Sequence, residues 1–280
     1  MNGRRMIWAL AAGLAALAVS QAQPPRLFFE LATGSTAGTY FPVGELIAGI
    51  VSHPPGLARC DAAGVCGPAG LIVSARTSEG AVDNLLAVNA GGVDSGLAQA
   101  NVVADAVAGR GAFRKAGRQT HVRAIANLFP ETVQLVVAAN AHIAKVADLR
   151  GKTVSLDNEG SGAAVIGREI LAAYAIPEKG LKVHSVSYDV SAILMLQGKL
   201  DAFFFQGGTP APLVSDLVRR GTARLIPIDG KGRRRLLARV PGLTAAAIQQ
   251  GAVGRIEQRA QDAIDDVRRR RILHHPQGAA

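Results

Sequence analysis

The chain has 280 residues, 49% of them hydrophobic, with 31 Lys/Arg against 21 Asp/Glu and only two cysteines. That apolar share is ample for a packed core and excludes a disordered chain, and two cysteines exclude a disulfide-dense scaffold. The net charge of +10 points away from nucleic acid once it is located: residues 23–218 hold 15 basic and 16 acidic side chains, whereas residues 219–280 hold 14 and 5. The basicity sits in end runs such as Arg233–Arg235 and Arg268–Arg271, without the interleaved readout residues of a nucleic-acid module.

Arg4 and Arg5 precede an apolar run from Met6 to Val19, and Ser20-Gln21-Ala22 offers small residues for cleavage. This is the pattern of a secretory signal peptide cut near Ala22, which places the mature chain in the periplasm. The run is shorter than the roughly 20 residues a spanning helix needs, and charges or glycines interrupt every later apolar stretch. No cysteine follows the small residues, so no lipoprotein anchor is expected. In an oxidising compartment Cys60 and Cys66 read as a short-loop disulfide. The competing zinc site would have only His53 nearby as a further ligand.

In chain order, residues 26–32 read as a strand, 34–40 as a Gly/Thr loop, and a helix opens at Pro42 and runs to about Val51. A strand follows at 71–75, then a helix capped by Thr77 or Ser78 and running through Val88. Residues 93–98 read as a strand ending at Gln99, and Asn101 as the cap of a helix to Gly109. Residues 110–120 are a polar loop; 122–126 and 132–138 are strands by their β-branched content. Strand 154–156 leads through a Gly/Ser loop at 157–162 into a helix at 163–174. Strands at 183–186, 200–205 and 223–228 then alternate with helices at 190–197 and 213–220, and a helix is expected at 230–241. Such alternation implies α/β layers with largely parallel sheets.

The same device occurs twice: strand, Gly/Ser/Thr loop, helix, at 27–51 and again at 153–174. A helix start leaves backbone N–H groups unpaired and carries about half a positive charge, glycine admits a ligand close to the backbone, and Ser or Thr adds hydroxyls. Two such half-sites on two lobes would hold an anion with neutral donors. Each loop alone is equally a structural βα turn. Asp157 and Glu159 beside the second loop read as turn and capping residues, not as an acid–base pair. Gly151-Lys152-Thr153 fails as a phosphate loop because Val146 stands where the first glycine belongs. No nucleophile elbow is present, and the six histidines are scattered, so neither catalysis, a cofactor nor a metal is expected.

Six segments run in order along the chain: GSTAGTYFPVG at 34–44, TSEGAVDN at 77–84, GVDSGLAQ at 92–99, DLRGK at 148–152, GSG at 160–162, and GKLDAFFF with the later GGTP at 198–210. With them the chain resembles the TAXI-type solute receptors of TRAP transporters over about residues 27–240. The resemblance implies an α/β type II periplasmic-binding-protein fold, with lobe I at 23–131, lobe II at 132–225, two crossovers, and residues 226–280 returning to lobe I. It implies a monomer that captures a small carboxylate (glutamate, glutamine or a 2-oxoacid) and hands it to TRAP membrane subunits. Sensing for a signalling partner, or an enzyme on the same fold, are the alternatives.

Carried over by motif, the ligand contacts are Ser35, Thr36, Thr39, Tyr40, Ser78 and Gln99 from lobe I, and Ser161, Gly162, Ala163, Gln206 and Gly207 from lobe II. Tyr40 reads equally as a core or hinge aromatic. Two positions depart from the family pattern. Glu79 stands where a small residue is usual and is expected to face solvent; Ala163 stands where threonine is usual. The basic, weakly patterned end suggests truncation or a frameshift near residue 250, the alternative being a genuine basic tail.

Overall fold

The computed structural model describes residues 25–55 and 67–248. The signal segment, the Cys60–Cys66 pair and the tail beyond 248 lie outside the described residues.

Two sheets carry the architecture. The smaller contains β1 (Leu27–Ala32), β2 (Leu71–Arg76) and β3 (Ser95–Gly96), all parallel, in the order β2-β1-β3. Its helices are α1 (Tyr40–Val51), α2 (Ala81–Ala90) and α3 (Ala100–Ala108). Buried Asn84 ties this layer together: its Nδ2 donates to the carbonyls of Thr33 and Leu97, both at 2.7 Å, joining the ends of β1 and β3.

The larger sheet has the order β6-β5-β7-β4-β8, from β4 (Thr132–Ala138), β5 (Thr153–Ser155), β6 (Lys182–His184), β7 (Ala202–Gly207) and β8 (Ala223–Ile226). β5 runs parallel to β6 and β7, while β4 is antiparallel to β7 and β8. β7 is buried at every residue, which explains its unbroken apolar run Ala202-Phe203-Phe204-Phe205: a strand covered on both faces does not alternate with polar residues. Successive side chains still point to opposite faces. Phe204 packs with Ile166, Ile170 and Leu171 of α4 (Gly162–Ala173). Phe203 and Phe205 meet α5 (Tyr188–Leu196) and α6 (Pro212–Arg219) on the other side.

Several expected boundaries shift for physical reasons. Gly80, not Thr77 or Ser78, occupies the cap position of α2. The Ser78 hydroxyl donates to the Thr33 carbonyl at 3.1 Å and accepts from the Gly80 N–H at 3.1 Å, so it braces the turn before the helix. Gln99, not Asn101, precedes α3. The loop at 110–120 contains a short 3-10 turn at Gly111–Phe113 that seals the core with fully buried Phe113. Residues 122–126 form no strand. They belong to the extended passage from the smaller to the larger sheet, where no partner edge is available and Ile125 is 85% exposed.

The last described helix, α7 (Gly230–Arg239), packs on α4, and Leu236 and Val240 join the core beside the larger sheet. Residues 226–243 thus pack beside the larger sheet.

Candidate functional site

The two sheets face each other across a narrow cleft lined by both Gly/Ser/Thr loops. From the smaller side come Gly34, Ser35, Gly38, Thr39 and Tyr40, then Glu79, Gly80, Ala81 and Gln99. From the larger come Asp157, Asn158, Ser161, Gly162, Ala163, Tyr188 and Gln206. The cleft's free space is about 400 Å³, part of it open to solvent.

Direct contacts join its two walls. The Gly160 carbonyl accepts from the N–H groups of Val82 (2.9 Å) and Asp83 (3.3 Å), the exposed donors at the start of α2. The Thr39 hydroxyl accepts from the Gly208 N–H at 3.0 Å, so the first loop grips the turn after β7. Gly80 has φ +123, and a Cβ there would lie 2.9 Å from Ser161 Cα. Gly162 is equally constrained, because an added Cβ would overlap the Gln99 amide.

The second loop forms the floor. Ser161 caps α4, its hydroxyl accepting from the Ala164 N–H at 2.9 Å. The first helical amides, of Gly162 and Ala163, have no acceptor inside the helix, and both residues line the cavity. The Tyr188 hydroxyl donates to the Gln206 carbonyl at 3.3 Å, and its ring packs 4.6 Å from that of Phe205.

Of the eleven expected contacts, eight line the cavity: Ser35, Thr39, Tyr40, Gln99, Ser161, Gly162, Ala163 and Gln206. Three do not. Thr36 is exposed, Ser78 braces the turn before α2, and Gly207 packs against Thr39, where a Cβ would sit 2.5 Å from the hydroxyl. Glu79 is exposed but stands on the cavity rim. Glu159 is structural: it pairs with Arg168 at 2.7 Å and accepts from Ser185 at 2.7 Å.

From the sequence Asp157 reads as a turn or capping residue. It does turn the chain, with φ +72, but it is also 5% exposed, lines the cavity, and leaves Oδ1 without a hydrogen-bond partner. Burial pushes its carboxyl up to about 7; the Asn158 N–H and the Ser161 and Tyr188 hydroxyls lower it only in part, and nearby Glu79 raises it further. Behind the cavity wall, Glu131 is also pushed up to about 7, by burial first, with Gln99 and Tyr40 opposing. The Tyr40 hydroxyl reaches Glu131 Oε2 at 3.5 Å, and burial holds the phenol protonated well beyond its ordinary range.

No Lys, Arg or His is among the described residues lining the cavity. Unpartnered buried oxygens do gather there: Ser35 Oγ, Gln99 Oε1, Asp157 Oδ1 and Gln206 Oε1.

A model of the NMT1-like family matches residues 31–263. The chain belongs to that family. Among solved structures, this NMT1-like chain is similar to the alkanesulfonate-binding protein SsuA from Xanthomonas axonopodis pv. citri bound to MOPS, at 18% identity and a TM-score of 0.41, covering 74% of this chain and 61% of that one. It is also similar to the periplasmic aliphatic sulphonate binding protein SsuA from Escherichia coli (17% identity, TM-score 0.40, covering 72% and 60%). A third is the arginine-, lysine-, histidine-binding protein ArtJ from Geobacillus stearothermophilus (14% identity, TM-score 0.42, covering 72% and 75%). The chain spans about three fifths of the length of the two sulfonate-binding proteins. Two α/β sheets with a cleft between them agree with the expected type II periplasmic-binding-protein fold.

Proposed function

We propose that this NMT1-like protein is an extracytoplasmic solute receptor, not an enzyme, that closes two lobes over a small carboxylate-bearing metabolite and delivers it to a membrane transporter. The observation that carries this reading is the meeting of two loops, 34–40 and 157–163, at one cavity. The uncommitted amides at the start of α4, with the positive end of its dipole, suit a carboxylate without any cationic side chain. Ser35, Thr39, Tyr40 and Gln99 supply the opposing wall. In this reading lobe I ends near 131 and lobe II begins at 132. Solute lands on one lobe of an open form, and closure brings the other lobe's donors onto it, so solute favours the closed state by its differential affinity. The signal-peptide pattern at 1–22 supports export, and the motif resemblance favours a TRAP-type permease as the recipient.

Thermal unfolding of the purified protein against L-glutamate, L-glutamine, L-alanine, 2-oxoglutarate and pyruvate tests the reading. A true ligand at about 100 times its dissociation constant stabilises by about 2.7 kcal/mol, which raises the melting temperature by about 5–10 °C for a chain of this size. A flat response across the panel contradicts a receptor for small carboxylates.

A further inference from the structure

We propose that the solute also carries a protonated amine, seated against Asp157, so that the receptor is built for an α-amino acid and not for a 2-oxoacid or a simple dicarboxylate. The proposal rests on the receptor reading and sharpens it.

Asp157 is the discriminating group. Gln99 and Gln206 can each turn an amide to present either oxygen or NH2, and Ser35 can donate or accept. A carboxylate only accepts. Asp157 is buried, with Oδ1 unsatisfied and no basic side chain among the described residues around the cavity. The Asn158, Ser161 and Tyr188 donors satisfy it only in part, and a buried carboxylate left short of partners costs stability. Buried, unsatisfied polar groups gather where a ligand completes them. Glu79 on the rim adds negative potential to the same space, which disfavours a ligand whose only charge is negative.

The position of Asp157 fixes the spacing of the solute's charges. The carboxyl-binding amides of Gly162 and Ala163 and the Asp157 carboxylate belong to one short turn, with both ends on one cavity. A ligand that satisfies both must carry its cation and anion close together, as an α-amino acid does on a single carbon. The orphan oxygens of Gln99 and Gln206 offer further acceptors for the ammonium hydrogens. The rival arrangement is a neutral Asp157 that donates its proton to an anionic ligand, and asparagine separates the two. Asn is isosteric with the neutral acid and can still donate, but it cannot neutralise an ammonium.

Calorimetric titration with matched pairs tests this: L-glutamate against 2-oxoglutarate, and L-alanine against pyruvate, on the wild type and on Asp157→Asn. Each amino acid is expected to bind at least 10-fold more tightly than its oxoacid. Asp157→Asn is expected to lower amino-acid affinity at least 10-fold while oxoacid affinity holds or rises. The variant removes a buried charge, so its melting temperature at neutral pH is expected to equal or exceed that of the wild type, which confirms that it folds. Oxoacids binding the wild type as tightly as their amino acids, or a folded Asp157→Asn that keeps its amino-acid affinity, overturns the amine and leaves the receptor reading intact. No binding by any of the four compounds overturns both.

Discussion

Gly80→Ala is expected to weaken solute binding by roughly 100-fold, about 2.7 kcal/mol, while Gly91→Ala leaves affinity unchanged. Both glycines lie at positive φ, +123 and +73, so both substitutions strain the backbone by about 1–3 kcal/mol. Their surroundings differ. Nothing lies within 4 Å of a Cβ at Gly91, whereas one at Gly80 would meet Ser161 Cα at 2.9 Å. That neighbour is backbone at the start of α4 and cannot swing aside. The methyl group therefore wedges the lobes apart where the Gly160 carbonyl bonds Val82 and Asp83. If only the closed form grips the solute, apparent affinity falls in proportion to its lost population. Calorimetry with the tightest binder among the tested compounds reads the effect, and Gly91→Ala controls for strain alone. Equal losses in both variants would mean that strain, not closure, sets affinity.

The ligand-free protein is expected to lose stability as pH rises from about 4 to 8, and Asp157→Asn is expected to remove much of that slope. Asp157 and Glu131 sit near 7 in the folded state, against about 4 when unfolded. Between those values the folded chain keeps protons that the unfolded chain has released. Their stabilising contribution is complete below about pH 4 and is lost as pH climbs through 7. Raising one buried carboxyl from about 4 to about 7 corresponds to roughly 4 kcal/mol, so Asp157 carries about half of the effect. An amine bound beside Asp157 favours its ionised form, so ligand should flatten the profile as well. Denaturant midpoints taken at intervals across this range supply the measurement. A wild-type profile level or rising through pH 7 contradicts the burial of these carboxyls.

Much of this arrangement was legible in the sequence because it is local. The glycine-rich turns at 34–40 and 160–162, the Phe203–Phe205 run and the alternation of strands with helices each depend on neighbours in the chain. Misreadings arose where distant parts decide. Residues 122–126 have strand composition but no edge to pair with, since they bridge two sheets. Ser78 resembled a cap or a ligand contact until the Thr33 carbonyl claimed its hydroxyl. Asp157 has the left-handed backbone typical of a turn residue, as expected, but its burial comes from packing that no local pattern encodes. Glu131 stood at the end of an extended passage with no motif to mark it, and only the fold sets it beside Tyr40 and Gln99.

Hydrogen exchange with and without L-glutamine tests most directly whether one solute is gripped by both loops at once. The account predicts that solute slows exchange together in segments 34–40 and 157–163, with little change across the outer helix α7. Protection confined to one loop, or centred elsewhere, would contradict it.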